Sequence, residues 1–164
     1  MTYLMMGKID RAQDFIRLDA GSEWAAYENT VAAMRTGRLE DARESSRAIA
    51  TNLGLNGNLL QACVSSAASS EMERIGREAE RMAQSQADPE RRFSFGEVLF
   101  FCNQTDAGLR TMQGAIEGNY CAHEALQHDP MLARLRSMHE YGPLLNQAKA
   151  CEDSFLAARD RDRP

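Results

Sequence analysis

The stretch Glu23–Leu53, EWAAYENTVAAMRTGRLEDARESSRAIATNL, contains two helical patterns separated by Gly37. Apolar or small residues recur at helical spacing in both halves: Trp24, Tyr27, Val31 and Met34 in the first, and Leu39, Ala42, Ser46 and Ile49 in the second. Glycine can adopt the positive φ with which many helices end. Glu40 and Asp41 suit the first turn of the helix that follows. The stretch therefore predicts a helical hairpin, which needs further copies to bury its apolar faces.

The hairpin pattern recurs with a period of 33 residues, because Ser70 and Asn103 follow Gly37 at that spacing. Equivalent positions carry small or apolar residues: Thr30, Cys63 and Gly96 seven before each turn, and Ala42, Ile75 and Gly108 five after it. The same register makes the alternating segment 93–101 a helix rather than a strand, and Pro89 suits the start of that helix. The sequence thus predicts hairpins at 22–53, 56–86 and 89–118, which we number second, third and fourth because residues 1–20 correspond to part of a first.

The period, the small residues near each turn and two sequence segments resemble the tetratricopeptide repeat family. The segments are LMMGKIDRAQDFI, which begins at Leu4, and MRTGRLEDARESSRAI, which begins at Met34. The resemblance implies an all-α fold: a right-handed α-α superhelix of about 3.5 helical hairpins with C-terminal capping helices, in one domain over 1–164. The sequence departs from the family in its first spacing, which is 30 residues, and an irregular helical bundle is the alternative fold.

The two ends of the chain depart from the repeat. Residues 1–20 resemble a repeat entered halfway, whose first helix is short. Its apolar residues lack the partner helix that a complete repeat would supply, which predicts a homodimer: the self-association set is Tyr3, Leu4, Met5 and Met6. After Gly118 the register is lost, and residues 119–158 form the predicted C-terminal cap. Within it, Asp129 and Pro130 predict the start of a short helix, and 144–158 predicts a closing helix.

The order of features in the tail also resembles a known class of protein. The segments Gly-Asn-Tyr-Cys, Asp-Pro-Met-Leu-x-x-Leu-Arg and Tyr-x-x-Leu-Leu begin at Gly118, Asp129 and Tyr141. This order is similar to the C-terminal ends of bacterial regulators in which such repeats follow a serine/threonine kinase or winged-helix domain. The resemblance implies that the chain belongs to a larger bacterial regulatory or signalling protein.

Composition narrows the classes of function. The 164-residue chain has a net charge of −5 and no basic stripe, which argues against binding to nucleic acid. No apolar run approaches the roughly 20 residues of a membrane span, and the opening segment lacks the basic residues of a signal peptide. We therefore predict a cytoplasmic protein whose four cysteines are reduced thiols: Cys63, Cys102, Cys121 and Cys151.

No catalytic motif is evident, so the sequence predicts neither an enzyme nor a bound cofactor or metal. His123 and His128 flank a glutamate as in zinc proteases, but they are five residues apart rather than the four that bring both imidazoles to one metal. Together with Cys121 they suggest an alternative function, a helical sensor of a metal or small ligand.

The leading hypothesis is a non-catalytic protein–protein interaction module. It would bind an apolar peptide, a neighbouring domain or a second copy through the inner face formed by the first helix of each hairpin. The residues predicted to line this face are Trp24, Tyr27, Val31, Met34, Arg35, Leu60, Val64, Phe93, Glu97 and Phe100. The alternative for these side chains is the core.

The register also predicts the effect of two substitutions. Ala42 lies where the helices of the second hairpin touch, so Ala42→Asp should destabilise the protein. Gly108 is the equivalent residue of the fourth hairpin, so Gly108→Ala should fit and stabilise its helix.

Overall fold

A computed structural model of the protein describes residues 2–22, 24–49 and 54–161, and within these ranges all regular secondary structure is helical. The helices are α1 (Thr2–Met5), α2 (Ile9–Leu18), α3 (Ala25–Arg35), α4 (Leu39–Ser46), α5 (Gly54–Val64), α6 (Ser69–Ser85), α7 (Pro89–Phe101), α8 (Thr105–Glu117), α9 (His123–His128) and α10 (Tyr141–Arg161). Two 3₁₀ turns, Pro130–Leu132 and Leu135–Ser137, connect α9 to α10. The all-α prediction is confirmed. The predicted end of the hairpin at 50–53 lies outside the described residues.

The second and fourth hairpins turn at the predicted residues. Gly37 has a φ of +70° and Asn103 a φ of +63°. At each turn the backbone closes the end of the preceding helix: the N–H of Arg38 donates to the carbonyl oxygen of Ala33 at 3.0 Å, and the N–H of Gln104 donates to that of Leu99 at 2.9 Å. These bonds satisfy helix-end carbonyls that have no partner within the helix. The two hairpins, α3–α4 and α7–α8, therefore share one register.

The third hairpin turns four residues earlier than predicted. Ser66 has the positive φ, +54°, whereas Ser70 lies within α6. Ile75 and Ala79 are nevertheless buried, as the register requires. Both observations follow from one extra turn at the start of α6, because about 3.6 residues per turn return the helix to the same face.

Neighbouring helices pack in sequence order, and α7 joins the two halves of the core. The α3–α4, α5–α6 and α7–α8 pairs form hairpins, while α4 contacts α5 and α6 contacts α7. Leu99 of α7 belongs to a core cluster with α2–α6. Phe93 and Phe100, also on α7, belong to a second cluster with α8, α9 and α10. Helix α7 is therefore central to the fold.

The C-terminal cap covers the N-terminal helix, which corrects the basis of the predicted homodimer. Leu4 and Met5 are buried at 1% and 3% exposure, and Met6 is half-buried. Helix α9 packs against α1, and the Tyr120 hydroxyl lies 3.4 Å from the Met5 sulfur. Tyr3 alone is exposed, stacked on Phe15. Leu4 and Met5, which were expected to form an uncovered edge, are instead covered by the same chain.

The cysteines form two disulfides, so the prediction of reduced thiols is wrong. Cys63 of α5 bonds Cys102 at the end of α7, and Cys121 before α9 bonds Cys151 of α10. The Cα atoms are 5.4 and 5.2 Å apart, within the range that a disulfide spans. The partners lie 39 and 30 residues apart in sequence. Only the packing of α5 and α10 on their neighbours brings them together, so the pairing could not be predicted from the spacing of the cysteines.

Helices α7 and α8 cross at two glycines, which corrects the expectation for Gly108→Ala. A Cβ atom on Gly108 would lie 2.7 Å from the backbone nitrogen of Phe100, and one on Gly96 would lie 2.9 Å from that of Met112. Distances this short require the helices to separate. The missing side chains are what allow the two backbones to approach.

Among the described residues, no helix combines the length and the apolar character needed to cross a membrane.

Candidate functional site

The structure buries nine of the ten side chains predicted to bind a partner and exposes only Trp24, at 40%. The buried residues are Tyr27, Val31, Met34, Arg35, Leu60, Val64, Phe93, Glu97 and Phe100. The expectation that they line an open face is corrected, because the turn Pro130–Leu132 packs against both α3 and α7. These nine side chains lie in the core, which was the alternative interpretation.

Three of the buried side chains form a charged cluster in the interior. Arg35 of α3 donates from Nη2 and Nε to Asp129 Oδ2 at 2.6 and 3.0 Å, and from Nη2 to Glu97 Oε2 at 3.3 Å. The three side chains are at most 1% exposed. Asp129 precedes the 3₁₀ turn, and its Oδ1 accepts from the N–H of Met131 at 2.8 Å. The cluster therefore fastens the C-terminal cap to α3 and α7.

Two buried acids share one guanidinium, which affects the protonation of Glu97. Burial raises the pKa of Glu97 well above its usual value, and the neighbouring carboxylate of Asp129 raises it further, while Arg35 only partly offsets both. Burial lowers the pKa of Arg35, but Glu97 and Asp129 outweigh that effect and raise it overall. Nη1 of Arg35 and Oε1 of Glu97 have no hydrogen-bond partner among the described residues. This enclosed arrangement suits a structural link between the C-terminal cap and helices α3 and α7 rather than a site that a ligand enters.

The sequence contained part of the signal for this cluster. Asp129 was predicted as a helix cap, which its bond to the Met131 N–H confirms. Its second role, as the partner of Arg35, was missed. Glu97 stands at the register position that Val31 occupies in the second hairpin, and a charged residue at a core position requires a buried partner.

The residues of the metal-sensor hypothesis do not form one ligand set. The Cys121 sulfur is bonded to Cys151. His123 lies 3.3 Å from the Glu152 carboxylate, whereas His128 lies 3.5 Å from Glu124 on the exposed side of α9. In the part of the chain that the structure describes, no group of three His, Cys, Asp or Glu residues could hold a metal ion.

An open cleft lies beside Trp24, and we call it the Trp24 cleft. It has a volume of about 380 Å³ and lies between the start of α3, the start of α5 and the α6–α7 turn. Its apolar lining comprises Trp24, Tyr27, Met82 and Phe95. Trp24 and Met82 are 40% and 38% exposed, whereas Tyr27 and Phe95 are buried. The cleft is therefore apolar both in its buried lining and at its opening.

Contacts among the lining residues hold the cleft in shape. The rings of Trp24 and Tyr27 meet edge to face with centroids 5.9 Å apart. The Tyr27 hydroxyl donates to Asn56 Oδ1 at 3.4 Å, which links α3 to α5. Burial raises the pKa of Tyr27 to about 12, so this hydroxyl remains a donor at neutral pH.

The polar residues of the cleft are mostly acidic. Glu28, Asp88 and Glu90 line it together with a single cation, Arg91. Asp88 caps α7, because its Oδ1 accepts from the N–H groups of Glu90 and Arg91 at 3.0 and 3.4 Å. Its Oδ2 lies 3.8 Å from the Arg91 guanidinium. Sequence reasoning identified Trp24 and Tyr27 but missed these carboxylates, since acidic residues in the first turn of a helix are ordinary.

Comparison of the chain with protein-family models, curated proteins and solved structures gives no match. The function proposed below therefore depends on the geometry of the cleft and on the sequence.

Proposed function

We propose that this chain is a non-catalytic protein–protein interaction module that binds a peptide segment of a partner protein in the Trp24 cleft. The observation that carries the proposal is an open apolar cleft with an exposed tryptophan, in a protein that otherwise buries its aromatic inner-face residues. Tryptophan is enriched where binding energy is concentrated in protein interfaces. The volume of the cleft lies within the usual range of ligand sites.

We propose further that the helices form a right-handed superhelix of the tetratricopeptide type, with its inner side filled by its own C-terminal cap. Two observations support this. The turns at Gly37 and Asn103 have the same geometry. The equivalent positions before and after those turns carry small residues, Thr30 and Ala42 in one hairpin and Gly96 and Gly108 in the other.

The proposed biological setting is a larger bacterial regulatory or signalling protein, as the order of features in the tail suggests. The two disulfides favour an oxidising compartment over the cytoplasm, because cytoplasmic thiols are generally kept reduced. The cytoplasmic expectation assumed that the cysteines are reduced, so we replace it with this proposal. Peptide mapping of the protein expressed in the bacterial periplasm, without reductant, should recover both Cys63–Cys102 and Cys121–Cys151.

Selection of random peptides displayed on phage against the oxidised protein tests the interaction function. We expect enrichment of a set of related peptides that bind in a 1:1 ratio by isothermal titration calorimetry. Affinities should be about micromolar, which corresponds to roughly −8 kcal/mol. The Trp24→Ala variant provides the counter-selection, and it should leave the fold intact because the Trp24 side chain is partly exposed. Failure to enrich any related peptides, or enrichment that is the same on Trp24→Ala, would contradict the proposal.

A further inference from the structure

We infer that the Trp24 cleft recognises a partner segment in which one large apolar side chain is flanked by lysine or arginine. The inference rests on the proposed function and adds the chemistry of the ligand. It depends on three properties of the cleft: its size, its acidic polar residues, and the state of the adjacent helix N-terminus.

The size of the cleft selects one apolar anchor. About 380 Å³ lies near the small end of ligand sites. That volume admits a single large side chain with part of its backbone, and leaves the neighbouring residues of the peptide at the opening. The rings of Trp24 and Tyr27 and the side chain of Met82 offer apolar contact to such an anchor. The flanking residues would therefore lie beside the polar lining.

The charges of the lining select positive flanking residues. Asp88 and Arg91 lie 3.8 Å apart and offset each other. No hydrogen bond or ion pair joins the carboxylates of Glu28 and Glu90 to another described residue, so within the described chain no partner offsets these two negative charges of the lining. A lysine or arginine beside the anchor would pair with them, whereas an acidic residue would be repelled. The exposed face of Trp24 also favours a cation.

An acidic ligand is the rival, because the cleft lies at the N-terminus of α7. The N–H groups at the start of a helix attract anions. At α7, however, Asp88 already accepts from the N–H groups of both Glu90 and Arg91. An acidic peptide would therefore meet a helix end that is already capped and, next to it, two carboxylates.

Titration with a defined set of peptides tests the inference. The probes are short peptides with one tryptophan in a Gly/Ser background, flanked by two lysines, two glutamines or two glutamates. A fourth peptide carries the lysines but has serine in place of tryptophan. At low salt we expect the lysine peptide to bind about tenfold more tightly than the glutamate peptide, and this difference should shrink as salt screens exposed charges. The serine peptide should not bind measurably.

Variants of the protein assign the effect to the cleft. Trp24→Ala should abolish binding of every peptide. The double variant Glu28→Gln, Glu90→Gln should weaken binding of the lysine peptide about fivefold, as two at least partly exposed ion pairs allow, and leave binding of the glutamine peptide unchanged. Glu44→Gln, Glu124→Gln is the matched control. It changes the net charge equally at exposed glutamates outside the cleft, so it should leave all affinities unchanged.

The outcomes separate this inference from the proposed function. If the glutamine or glutamate peptide binds as tightly as the lysine peptide and still requires Trp24, the interaction function stands and the charge preference is overturned. If the lysine peptide binds Trp24→Ala equally well, the attraction is general and the site is wrong. If no peptide binds at about 1 mM, the inference is overturned, and the selection from random peptides decides the proposed function independently.

Discussion

The second and fourth hairpins share a register 66 residues apart, yet their helices are held together in different ways. In α3–α4 a side chain bridges the helices, because the Thr30 hydroxyl donates to the Ser45 oxygen at 3.0 Å. In α7–α8 the equivalent of Thr30 is Gly96, and the two backbones approach each other directly. The register determines which residues face each other. The size of those residues determines how closely the helices approach.

The two hairpins also differ at the next position along the first helix, where Val31 in one corresponds to Glu97 in the other. Val31 is part of the apolar core. Glu97 instead reaches Arg35 of the second hairpin, and Asp129 of the C-terminal cap joins the same cluster. The departure from the repeat is therefore also the link between hairpins.

The largest expected effect comes from placing a charge in the contact between α3 and α4. Ala42 has no exposed surface, so Ala42→Asp would bury a carboxylate without a partner. We expect a loss of about 4–5 kcal/mol in the free energy of unfolding, measured by urea denaturation. Glu44→Asp, on the exposed side of the same helix, is the control. Equal stability of the two variants would show that the register of the second hairpin is wrong.

Removing Arg35 tests the link between the hairpins. Arg35→Met leaves Glu97 and Asp129 buried without their cation, which should cost about 3–5 kcal/mol at neutral pH. The loss should be smaller at acidic pH, where Glu97, whose pKa is raised by burial, carries a proton. Arg38→Met removes an exposed pair with Asp41 and should cost at most about 1 kcal/mol. A similar cost for both variants would mean that the buried cluster does not hold the cap.

Adding a methyl group at the glycine crossing tests whether the close contact of the helices distinguishes the fourth hairpin from the second. Gly108→Ala forces a contact with the backbone of Phe100 and should destabilise the protein by about 1–3 kcal/mol. Gly114→Ala, in the same helix, meets only the Arg92 side chain at 3.7 Å. It should be neutral or stabilise by up to about 1 kcal/mol. Thermal unfolding of the two variants measures this difference. Stabilisation by both substitutions would disprove the close approach of α7 and α8 at Gly108.

The smallest expected effect is the dependence of the free energy of unfolding on pH that Glu97 causes. Its pKa is raised in the folded protein, so the folded state retains a proton that the unfolded state loses above its ordinary pKa of about 4.3. Stability should therefore fall as pH rises from there toward the folded pKa, by at most about 1.4 kcal/mol per pH unit. Glu97→Gln, which keeps a neutral side chain, should lack this slope. Parallel curves of unfolding free energy against pH for the two proteins would refute the assignment.

Local signals made much of the fold predictable. Pro89 marks the start of α7, and Asn103, at the turn that the 33-residue period predicts, marks its end. The third turn was misplaced because the segment 65–70 consists of small residues without a strong breaker. A shift of one helical turn leaves the buried face unchanged, so the apolar pattern could not correct the error.

Features that depend on the closure of the chain were not predictable from local patterns. Asp129 has a complete local explanation as a cap, and nothing near it in the sequence indicates Arg35. The disulfide partners and the cover over α1 depend on the same closure. For the cleft, the tryptophan was identified and the carboxylates were not, because first-turn acids are common on helices that bind nothing.

The buried cluster has a consequence for the timing of synthesis. Arg35 precedes Asp129 by 94 residues, which at about 5–20 residues per second is roughly 5–20 s of translation. Glu97, which follows Arg35 by 62 residues, is made before Asp129. A nascent chain that has produced the second hairpin therefore holds a cation whose nearest partner does not yet exist. The charged cluster at α3 can close only when the C-terminal cap emerges, so α3 reaches its final environment well after it has been made.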